Sequence, residues 1–378
     1  MKKLQLVDLK TQYEKIKEEV DKAILDVIAT AAFINGPEVK EFQKDLGNYL
    51  GVKHVIPCAN GTDALQISLM ALGLKPGDEV ISPSFTYIAT AEVIGLLNLT
   101  PVFIDVDRQN FTIDIQSLRN AITKKTKAIV PVHLYGHCAN MEEILKIANE
   151  FNIPVIEDTA QALGSEFTFS DGSVKKAGTI GKVGCTSFFP SKNLGCYGDG
   201  GAIMTNDDDL AKTIRMVASH GQSKKYFHDI IGVNSRLDSI QAAVLRVKLP
   251  YLKEYILARK SAASYYSKAF EPFEELETPF VEEWSDHGFH QYTLVLHNLD
   301  REALITYLKS KDIPSNVYYP MPTHEQGAFK NTFEKRVSLE NTEYLTQTVL
   351  SLPIHTELDT EQLEYITSSI IEFIKYKN

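Results

Sequence analysis

The sequence predicts an α/β protein with a large, mostly parallel sheet domain over residues 1–250 and a smaller C-terminal α+β domain over residues 251–378. Two observations predict this fold. Short apolar runs alternate with amphipathic stretches through the first part of the chain, which is the pattern of strands joined by crossover helices. The chain also has 378 residues, more than one hydrophobic core usually organises, so two domains are expected.

Seven β-rich runs define the expected large sheet. They are HVIPC (54–58), EVISP (79–83), PVFIDVD (101–107), KAIVPVH (127–133), IPVIED (153–158), CTSFF (185–189) and GAIMT (201–205). Helices are expected from about Thr62, over 90–97 and around 238–249. Before the first strand, apolar residues at every third or fourth position predict one amphipathic helix from Asp8 to Thr30.

The order of elements changes near residue 250. A polar helix is expected over 251–270, followed by a segment rich in Pro and Glu over 272–286. Beyond it the patterns indicate a strand in QYTLVLH (291–297), a helix over Arg301–Lys311, a strand over Ser315–Tyr319 and a last helix from Thr360. Strands and helices in this order are typical of a small α+β domain.

Composition narrows the class of function. The net charge of −10 argues against nucleic acid as a partner, because such binding depends on Lys and Arg. No apolar run approaches the roughly 18 residues that cross a bilayer, so no membrane partner is expected. The N-terminus has no signal-peptide pattern. The four cysteines match neither a zinc pattern nor a disulfide framework, which predicts reduced thiols, no metal site and a cytoplasmic protein.

Lys192 lies in the loop FFPSKNLGCYGDGG (188–201), directly after an apolar run. A lysine in such a loop can be an ordinary solvated residue. A lysine that forms a Schiff base needs a lowered pKa, which burial in a pocket supplies. Close approach of the backbone to a ligand is possible at the surrounding glycines, which are Gly195, Gly198, Gly200 and Gly201.

Asp158 ends the run IPVIED, at the carboxyl end of a predicted parallel strand, where ligands of open α/β sheets bind. Its carboxylate could cap a following helix. It could instead pair with a protonated pyridine nitrogen and make that ring an electron sink. Both interpretations are open at this point.

An anion site is predicted in PCANGTDAL (57–65), where Asn60, Gly61 and Thr62 stand between a strand and a helix. The N–H groups at a helix N-terminus bind phosphate readily, and Thr62 adds a hydroxyl. The alternative is that Thr62 only caps the helix. Ser187, five residues before Lys192, could supply a second hydroxyl to the same phosphate.

Two aromatic residues follow another predicted strand. Phe85 and Tyr87 stand in SPSFTYIAT (82–90). Aromatic side chains at such a place are often core residues, and either of these two could instead cover a flat ring.

Taken together, these segments resemble the DegT/DnrJ/EryC1/StrS group of sugar aminotransferases, within the fold-type I pyridoxal-phosphate enzymes. The resemblance runs from DLKTQY (8–13) to SLPIH (351–355). Its most specific segments are CANGTDAL, IEDTAQALG, SFFPSKNLGCYGDGG and GVNSRLDSIQAA. It implies a fold-type I PLP-transferase fold, pyridoxal 5'-phosphate as cofactor, a nucleotide-linked keto-sugar as substrate, L-glutamate as amino donor and a homodimer with shared active sites.

The resemblance also implies roles for residues around the cofactor ring. Lys192 would carry the cofactor, Asp158 would pair with the pyridine nitrogen and Gln161 would lie close to the ring hydroxyl. Tyr87 occupies the ring-stacking position of the family.

A second group would hold the cofactor phosphate. The resemblance assigns Gly61, Thr62 and Ser187 to this role within one chain. Asn234, in GVNSRLD, is implied to reach the phosphate of the neighbouring subunit.

One branch of the family is the most similar in CTSFFPSKNLGCYGDGGA and HGQ…GVNSRLD. That branch aminates C3 of a UDP-linked 3-keto-uronic acid, 2-acetamido-2-deoxy-ribo-hex-3-uluronate, for surface polysaccharide such as lipopolysaccharide. Arg236 would meet an anionic sugar or phosphate group, or else form a structural ion pair with Asp238 or a neighbouring residue. Tyr319 and His220 are further pocket candidates, and core packing or solvent exposure is the alternative role for each. His324 matches a position that often carries histidine in the wider family.

Three other functions are compatible with the same fold. Some relatives are sugar dehydratases with histidine in place of the lysine, and Lys192 argues against that class. A pyridoxal-phosphate-binding regulator is disfavoured by the acidic charge and by the lack of a basic stretch. An aminotransferase acting at C4, or on another nucleotide sugar, stays open.

Overall fold

The structure, a computed structural model, describes residues 3–330 and 336–377. Its α-helices are α1 (Leu9–Lys15), α2 (Lys17–Thr30), α3 (Pro37–Leu50), α4 (Gly61–Ala71), α5 (Ala89–Leu96), α6 (Ile115–Ala121), α7 (Met141–Phe151), α8 (Asp208–Ala218), α9 (Ser239–Lys248), α10 (Leu252–Phe270), α11 (Arg301–Ser310), α12 (Glu340–Thr348) and α13 (Thr360–Lys377). Short 3₁₀ turns lie at Leu134–Gly136, Leu249–Tyr251 and Thr323–Glu325.

The strands, in chain order, are β1 (His54–Cys58), β2 (Glu79–Pro83), β3 (Thr100–Ile104), β4 (Thr126–Ile129), β5 (Ile156–Asp158), β6 (Glu166–Thr168), β7 (Val174–Lys176), β8 (Val183–Ser187), β9 (Gly201–Thr205), β10 (Gln222–Lys224), β11 (Phe227–His228), β12 (Leu276–Glu277), β13 (Ser285–Asp286), β14 (Tyr292–Leu296) and β15 (Val349–Leu352). Each of the seven strands predicted for the large sheet overlaps an observed one.

The large sheet has the order β3-β2-β4-β5-β8-β9-β1. Parallel ladders join β3, β2 and β4, and another joins β5 to β8. Two parallel bridges, Ile129 to Val155 and Val132 to Asp158, connect the two groups. Only β9 runs against its neighbours, β8 and β1, among these seven strands. The prediction of a mostly parallel sheet in an α/β fold is therefore confirmed.

Both faces of this sheet are covered, because alternate residues of a strand point to opposite faces. On β9, Ile203 packs with α4 and α8 in one core. Its neighbours Ala202 and Met204 pack with α3 and α9 in another. The helices thus hold the sheet as a rigid central layer, whose strand ends can carry a site.

A further core lies around α10, α11, α13 and the antiparallel sheet β12-β14-β15. Leu4 from the N-terminus also belongs to it. A short sheet of β13, β6 and β7 joins the segment after α10 to the large-sheet part of the chain. Among the helices that the structure describes, none is both long and apolar enough to cross a bilayer.

Two local predictions are wrong. Residues 315–319 form no strand, and only Asn316 makes a bridge, to Ser351 on β15, the strand that the sequence did not predict. The reason is that Tyr318 and Tyr319 are bound to other parts of the chain: Tyr135 donates its hydroxyl to the Tyr318 carbonyl, and Gln161 donates to the Tyr319 hydroxyl. The helix expected over 8–30 is broken at Ile16, whose backbone is not helical (φ −119°).

Candidate active site

The ends of three strands converge at one edge of the large sheet. Cys58, the last residue of β1, and Ser187, the last of β8, both pair with Gly201 at the start of β9. Asp158, the last residue of β5, pairs with Cys185 on β8. The segments that follow these strands therefore begin side by side, as expected for a ligand site at the carboxyl ends of strands.

The predicted anion site lies where β1 passes into α4. Asn60 caps α4, since its Oδ1 accepts a hydrogen bond from the Asp63 N–H (2.8 Å). Thr62 is thus not the cap but lies in the first turn. A Cβ at Gly61 would stand 2.8 Å from the Cβ of Ser187, so these two residues are in contact. The first-turn N–H groups and the Thr62 and Ser187 hydroxyls suit a phosphate group.

Asp158 forms the buried floor of the site and is only 6% exposed. Thr90 donates its hydroxyl to Oδ2 (2.8 Å), and the Ala160 N–H donates to Oδ1 (3.1 Å). Burial raises the pKa of Asp158, and these hydrogen bonds and the charge of Lys192 oppose that rise. No helix follows β5 in the described chain up to β6, so the capping interpretation is wrong.

The neighbouring carboxylate, Glu157, points to the other face of the strand and is fully used in the fold. Its oxygens accept hydrogen bonds from the backbone N–H groups of Gly178 (2.8 Å), Ile180 (2.7 Å) and Gly181 (2.6 Å). His133 Nε2 lies 2.9 Å from Oε2 of Glu157. The Ala139 N–H donates to Nδ1 of His133, so Nε2 carries the proton. Of the two adjacent acids, only Asp158 is left for a ligand.

Lys192 is partly buried in the loop between β8 and β9, and its N–H donates to the Phe189 carbonyl (2.9 Å). Burial lowers the pKa of Lys192 to about 8, and the charge of Asp158 opposes this shift. A lysine amine with this pKa is neutral in a useful fraction of molecules near neutral pH, as a nucleophile requires. A fully solvated loop lysine would keep its ordinary pKa.

Gln161 and Tyr319 meet above the end of β5. The Gln161 Oε1 accepts from the Tyr135 N–H (2.8 Å), and its Nε2 donates to the Tyr319 hydroxyl (2.9 Å). Tyr135 has a left-handed backbone (φ +57°), which turns its N–H toward Gln161. Burial raises the pKa of Tyr319. Two predicted residues far apart in the chain are thus in direct contact.

The two candidate ring-covering aromatics have different environments. Phe85 is 1% exposed and packs against Phe111, so it is a core residue. Tyr87 is 56% exposed, with its ring centre 6.1 Å from that of Tyr319. Only Tyr87 is available to stack on a ligand.

His324 is buried at the end of β2, where its Nδ1 lies 2.7 Å from the Ser84 hydroxyl. His324, Glu325 and Glu343 each offer one atom that could bind a metal ion, and these three atoms lie within 4.8 Å of one another. The sequence did not indicate this group, and the expectation of no metal site stays a prediction.

Asn234, Arg236 and His220 lie together in a more open region. Asn234 is exposed, and the next residue, Ser235, accepts a hydrogen bond from the Ala59 N–H (2.9 Å), beside the anion site. Arg236 Nη2 lies 3.5 Å from His220 Nε2. Arg236 forms no ion pair with Asp238 or with another carboxylate in the described chain, so the ion-pair interpretation is wrong.

Sequence reasoning missed two residues that hold the site. Thr90 donates to Asp158, and Tyr135 orients Gln161. Thr90 had a signal, a hydroxyl on the mostly apolar stretch that forms α5. Tyr135 had none, because its role depends on a backbone conformation and on a residue 26 positions away.

Comparison with known proteins decides the family. A sequence profile described as the DegT/DnrJ/EryC1/StrS aminotransferase family matches residues 14–371. The chain belongs to this family. The predicted family is thereby confirmed over nearly the whole chain.

Individual members are similar over their full length. The chain is 44% identical to "UDP-2-acetamido-2-deoxy-3-oxo-D-glucuronate aminotransferase" of Pseudomonas aeruginosa, over 97% of this chain and 99% of the relative. It is 42% identical to "Pleiotropic regulatory protein" of Geobacillus stearothermophilus, over 98% of both. The solved structure of DesV of S. venezuelae "in complex with ketimine intermediate" superposes with a TM-score of 0.93, at 35% identity over 99% of both chains.

Proposed function

We propose that the protein is a pyridoxal-phosphate-dependent aminotransferase that replaces the keto oxygen at C3 of a UDP-linked 3-keto-uronic acid with an amino group. The observation that carries this proposal is the pair of Lys192 and Asp158. An amine with a pKa of about 8 and a buried carboxylate interact at the strand ends of a family member. The full-length similarity to the Pseudomonas aeruginosa enzyme supports the choice of sugar.

The residues present fit pyridoxal phosphate. Asp158 has a pKa raised by burial, so its negative charge is best balanced by a cation, and a protonated ring nitrogen would supply one. Gly61, Thr62 and Ser187 would hold the phosphate, at the N-terminus of α4. Tyr87 would lie on the ring and Gln161 beside its hydroxyl.

When bound, the cofactor supplies an aldehyde that takes up an amino group and a ring that accepts an electron pair. Lys192 would hold the cofactor and then act as the base: its Nζ takes the proton from the α-carbon of L-glutamate. In the second half of the reaction the same amine gives a proton to C3 of the sugar. The pKa of about 8 suits both directions of this transfer near neutral pH.

The sugar would bind at the open side of the site. Arg236 has no carboxylate partner among the described residues, so its guanidinium is available for the uronate or for a phosphate. Tyr319 and His324 are proposed to line the sugar pocket beside Tyr87.

A homodimer with shared active sites is part of the proposal. The hairpin β10–β11 and the residues after it expose large apolar side chains, with Tyr226 79% and Ile231 86% exposed. Apolar groups clustered in this way are usually covered by a partner. Asn234 follows directly, and it would reach the phosphate of the neighbouring site.

We also propose the division into domains 1–250 and 251–378, cytoplasmic location and a role in surface polysaccharide synthesis.

The proposal is tested with purified protein, pyridoxal phosphate and L-glutamate against four sugars: a UDP-linked 3-keto-uronic acid, its non-uronate counterpart, and UDP- and dTDP-linked 4-keto sugars. NMR of the product gives the carbon that carries nitrogen. Preferred amination at C3 of the uronate is expected. Preferred amination at C4, or of another sugar, would contradict the proposed substrate. The proposed reaction class, amino transfer to a nucleotide-linked keto-sugar, would still stand.

The name of the Geobacillus relative keeps a regulatory role as a second candidate. Adding L-glutamate alone to the cofactor-loaded protein distinguishes an aminotransferase from a regulatory protein without catalysis. An aminotransferase converts the bound cofactor to its amine form, with a changed absorbance spectrum, whereas a binding protein without catalysis leaves the spectrum unchanged.

A further inference from the structure

Behind the Lys192 loop lies a second lysine, Lys248, which is 1% exposed at the end of α9. Its Nζ donates a hydrogen bond to the carbonyl of Gly195 (2.6 Å), three residues after Lys192. It also lies 5.5 Å from the centre of the Tyr197 ring. In the part of the chain that the structure describes, Lys248 has no carboxylate partner.

A buried ammonium is costly unless it is paired, and here its hydrogen-bond acceptor is one backbone carbonyl. Burial lowers the pKa of Lys248 to about 8. A methionine of similar shape would fill the same space without this cost. What the amine adds over a methionine must therefore be its hydrogen bond to the Gly195 carbonyl, and this bond restrains the loop that carries Lys192.

Other contacts also tie down the part of the loop that follows Lys192. On α9, Gln241 accepts from the Tyr197 N–H (2.8 Å) and donates to its carbonyl (3.3 Å). Asn193 donates to the Gly288 carbonyl (3.0 Å). A Cβ at Gly195 would stand 2.3 Å from the Pro190 carbonyl oxygen, so the loop folds back tightly on itself. Lys248 binds the carbonyl of Gly195, the residue at which the loop comes back against Pro190.

We propose that Lys248 is a positioning residue for Lys192: its amine holds the Gly195 carbonyl and so fixes the loop that carries Lys192 at the site. This inference rests on the proposed function of Lys192. Lys248 touches no reacting atom; it acts through the backbone of residues 192–196. Because proton transfer requires close and aligned groups, a loop that moves reduces the rate more than it reduces binding.

The test is Lys248→Met, with Leu245→Met as control. Leu245 is buried one turn earlier on α9 in an apolar core, so its exchange changes packing alone. We expect Lys248→Met to lower kcat by about 10- to 100-fold, with KM for the sugar changed by less than about threefold. Leu245→Met should leave kcat within about twofold of wild type.

Two readouts do not depend on turnover. Hydrogen exchange of the Lys192 and Cys196 amides, which donate to the Phe189 and Phe188 carbonyls, should be faster in Lys248→Met than in wild type and in Leu245→Met. The second readout is the rate at which Lys192 is acylated in cofactor-free protein, measured by mass spectrometry of the peptide. This rate should differ between Lys248→Met and wild type. Lys248→Gln keeps an N–H donor and should recover part of kcat; it carries the comparison if Lys248→Met does not fold.

Unchanged exchange of the loop together with kcat within about twofold of wild type in Lys248→Met would overturn the proposal. Equal losses in Lys248→Met and Leu245→Met would overturn it too, since they would indicate a packing effect. An inactive wild type would contradict the proposed function, whereas loop exchange and Lys192 acylation would still decide the role of Lys248.

Discussion

The inner and outer halves of the site are built differently. In the inner half, Asp158 and Gln161 are buried, and each is hydrogen bonded to residues of the same chain. In the outer half, Tyr87 is 56% exposed and Asn234 is exposed, next to an apolar hairpin without a cover. One chain thus completes the part that holds Lys192 and Asp158, and under the proposed function a partner subunit completes the outer part.

The largest effect is expected in the inner half from Lys192→Ala. Both cofactor attachment and proton transfer are lost, so kcat should fall by at least about 10⁴-fold. The visible absorbance of the loaded enzyme should disappear as well. Lys212→Ala is the control, because Lys212 is a surface residue paired with Asp209. Wild-type activity in Lys192→Ala would end the account.

Asp158→Asn should slow the reaction by about 10³-fold while the cofactor stays bound. The amide keeps the shape, can accept the Ala160 N–H at its oxygen and can donate to the Thr90 hydroxyl, but it loses the charge that stabilises a protonated ring nitrogen. Kinetics at saturating cofactor measure this effect, with Asp26→Asn as the control, because Asp26 is a surface residue of α2 paired with Lys22. An undiminished rate would show that the charge of Asp158 is not used.

The pKa of Lys192 gives a direct prediction for pH. With a pKa of about 8 instead of the ordinary 10.5, Lys192 has about 300-fold more neutral amine at pH 7 than an ordinary lysine. In cofactor-free protein, its acylation rate should rise with pH and level off above about 8. The acylation rate of Lys212, whose pKa is raised above 10.5, should still increase with pH in that range. Equal profiles for the two lysines would contradict the burial of the Lys192 amine.

In the outer half, Arg236→Ala should raise KM for the nucleotide sugar by about 10- to 100-fold, with a smaller change in kcat, because the lost contact is to bound substrate. Steady-state kinetics with the preferred sugar measure it. Arg119→Ala, which removes a surface ion pair with Glu150, is the control. An unchanged KM would remove Arg236 from the substrate site.

A complementation experiment sharpens the comparison of the two halves. Asn234→Asp puts a negative charge near a phosphate and should be nearly inactive at low cofactor concentration. Refolded together with Lys192→Ala, so that the two chains assemble at random, it should regain about a quarter of wild-type activity, because half of the dimers are hybrids with one intact site. A mixture as inactive as its components would mean that each chain supplies its own Asn234.

Much of the fold was predictable because hydrophobic periodicity is local. β1, β2 and β9 have the predicted bounds, and α13 begins at the predicted Thr360. The strand expected over 315–319 failed because periodicity cannot tell a paired strand from an extended segment whose tyrosines bind elsewhere.

The site was predictable where its residues end strands, since parallel strands bring their carboxyl ends to one edge. Asp158 was found in this way, whereas Ser187 was found from its position five residues before Lys192. The contact of Gln161 with Tyr319, 158 positions apart, and that of Lys248 with Gly195 depend on tertiary packing, which leaves no local pattern in the sequence.

The central claim, that Lys192 is the reactive amine of the site, has one direct test. The protein is incubated with pyridoxal phosphate, reduced with borohydride and digested, and the modified lysine is located by mass spectrometry. We predict one dominant adduct, on Lys192, that is absent after prior acylation of that residue. A dominant adduct on any other lysine, or none on Lys192, would contradict it.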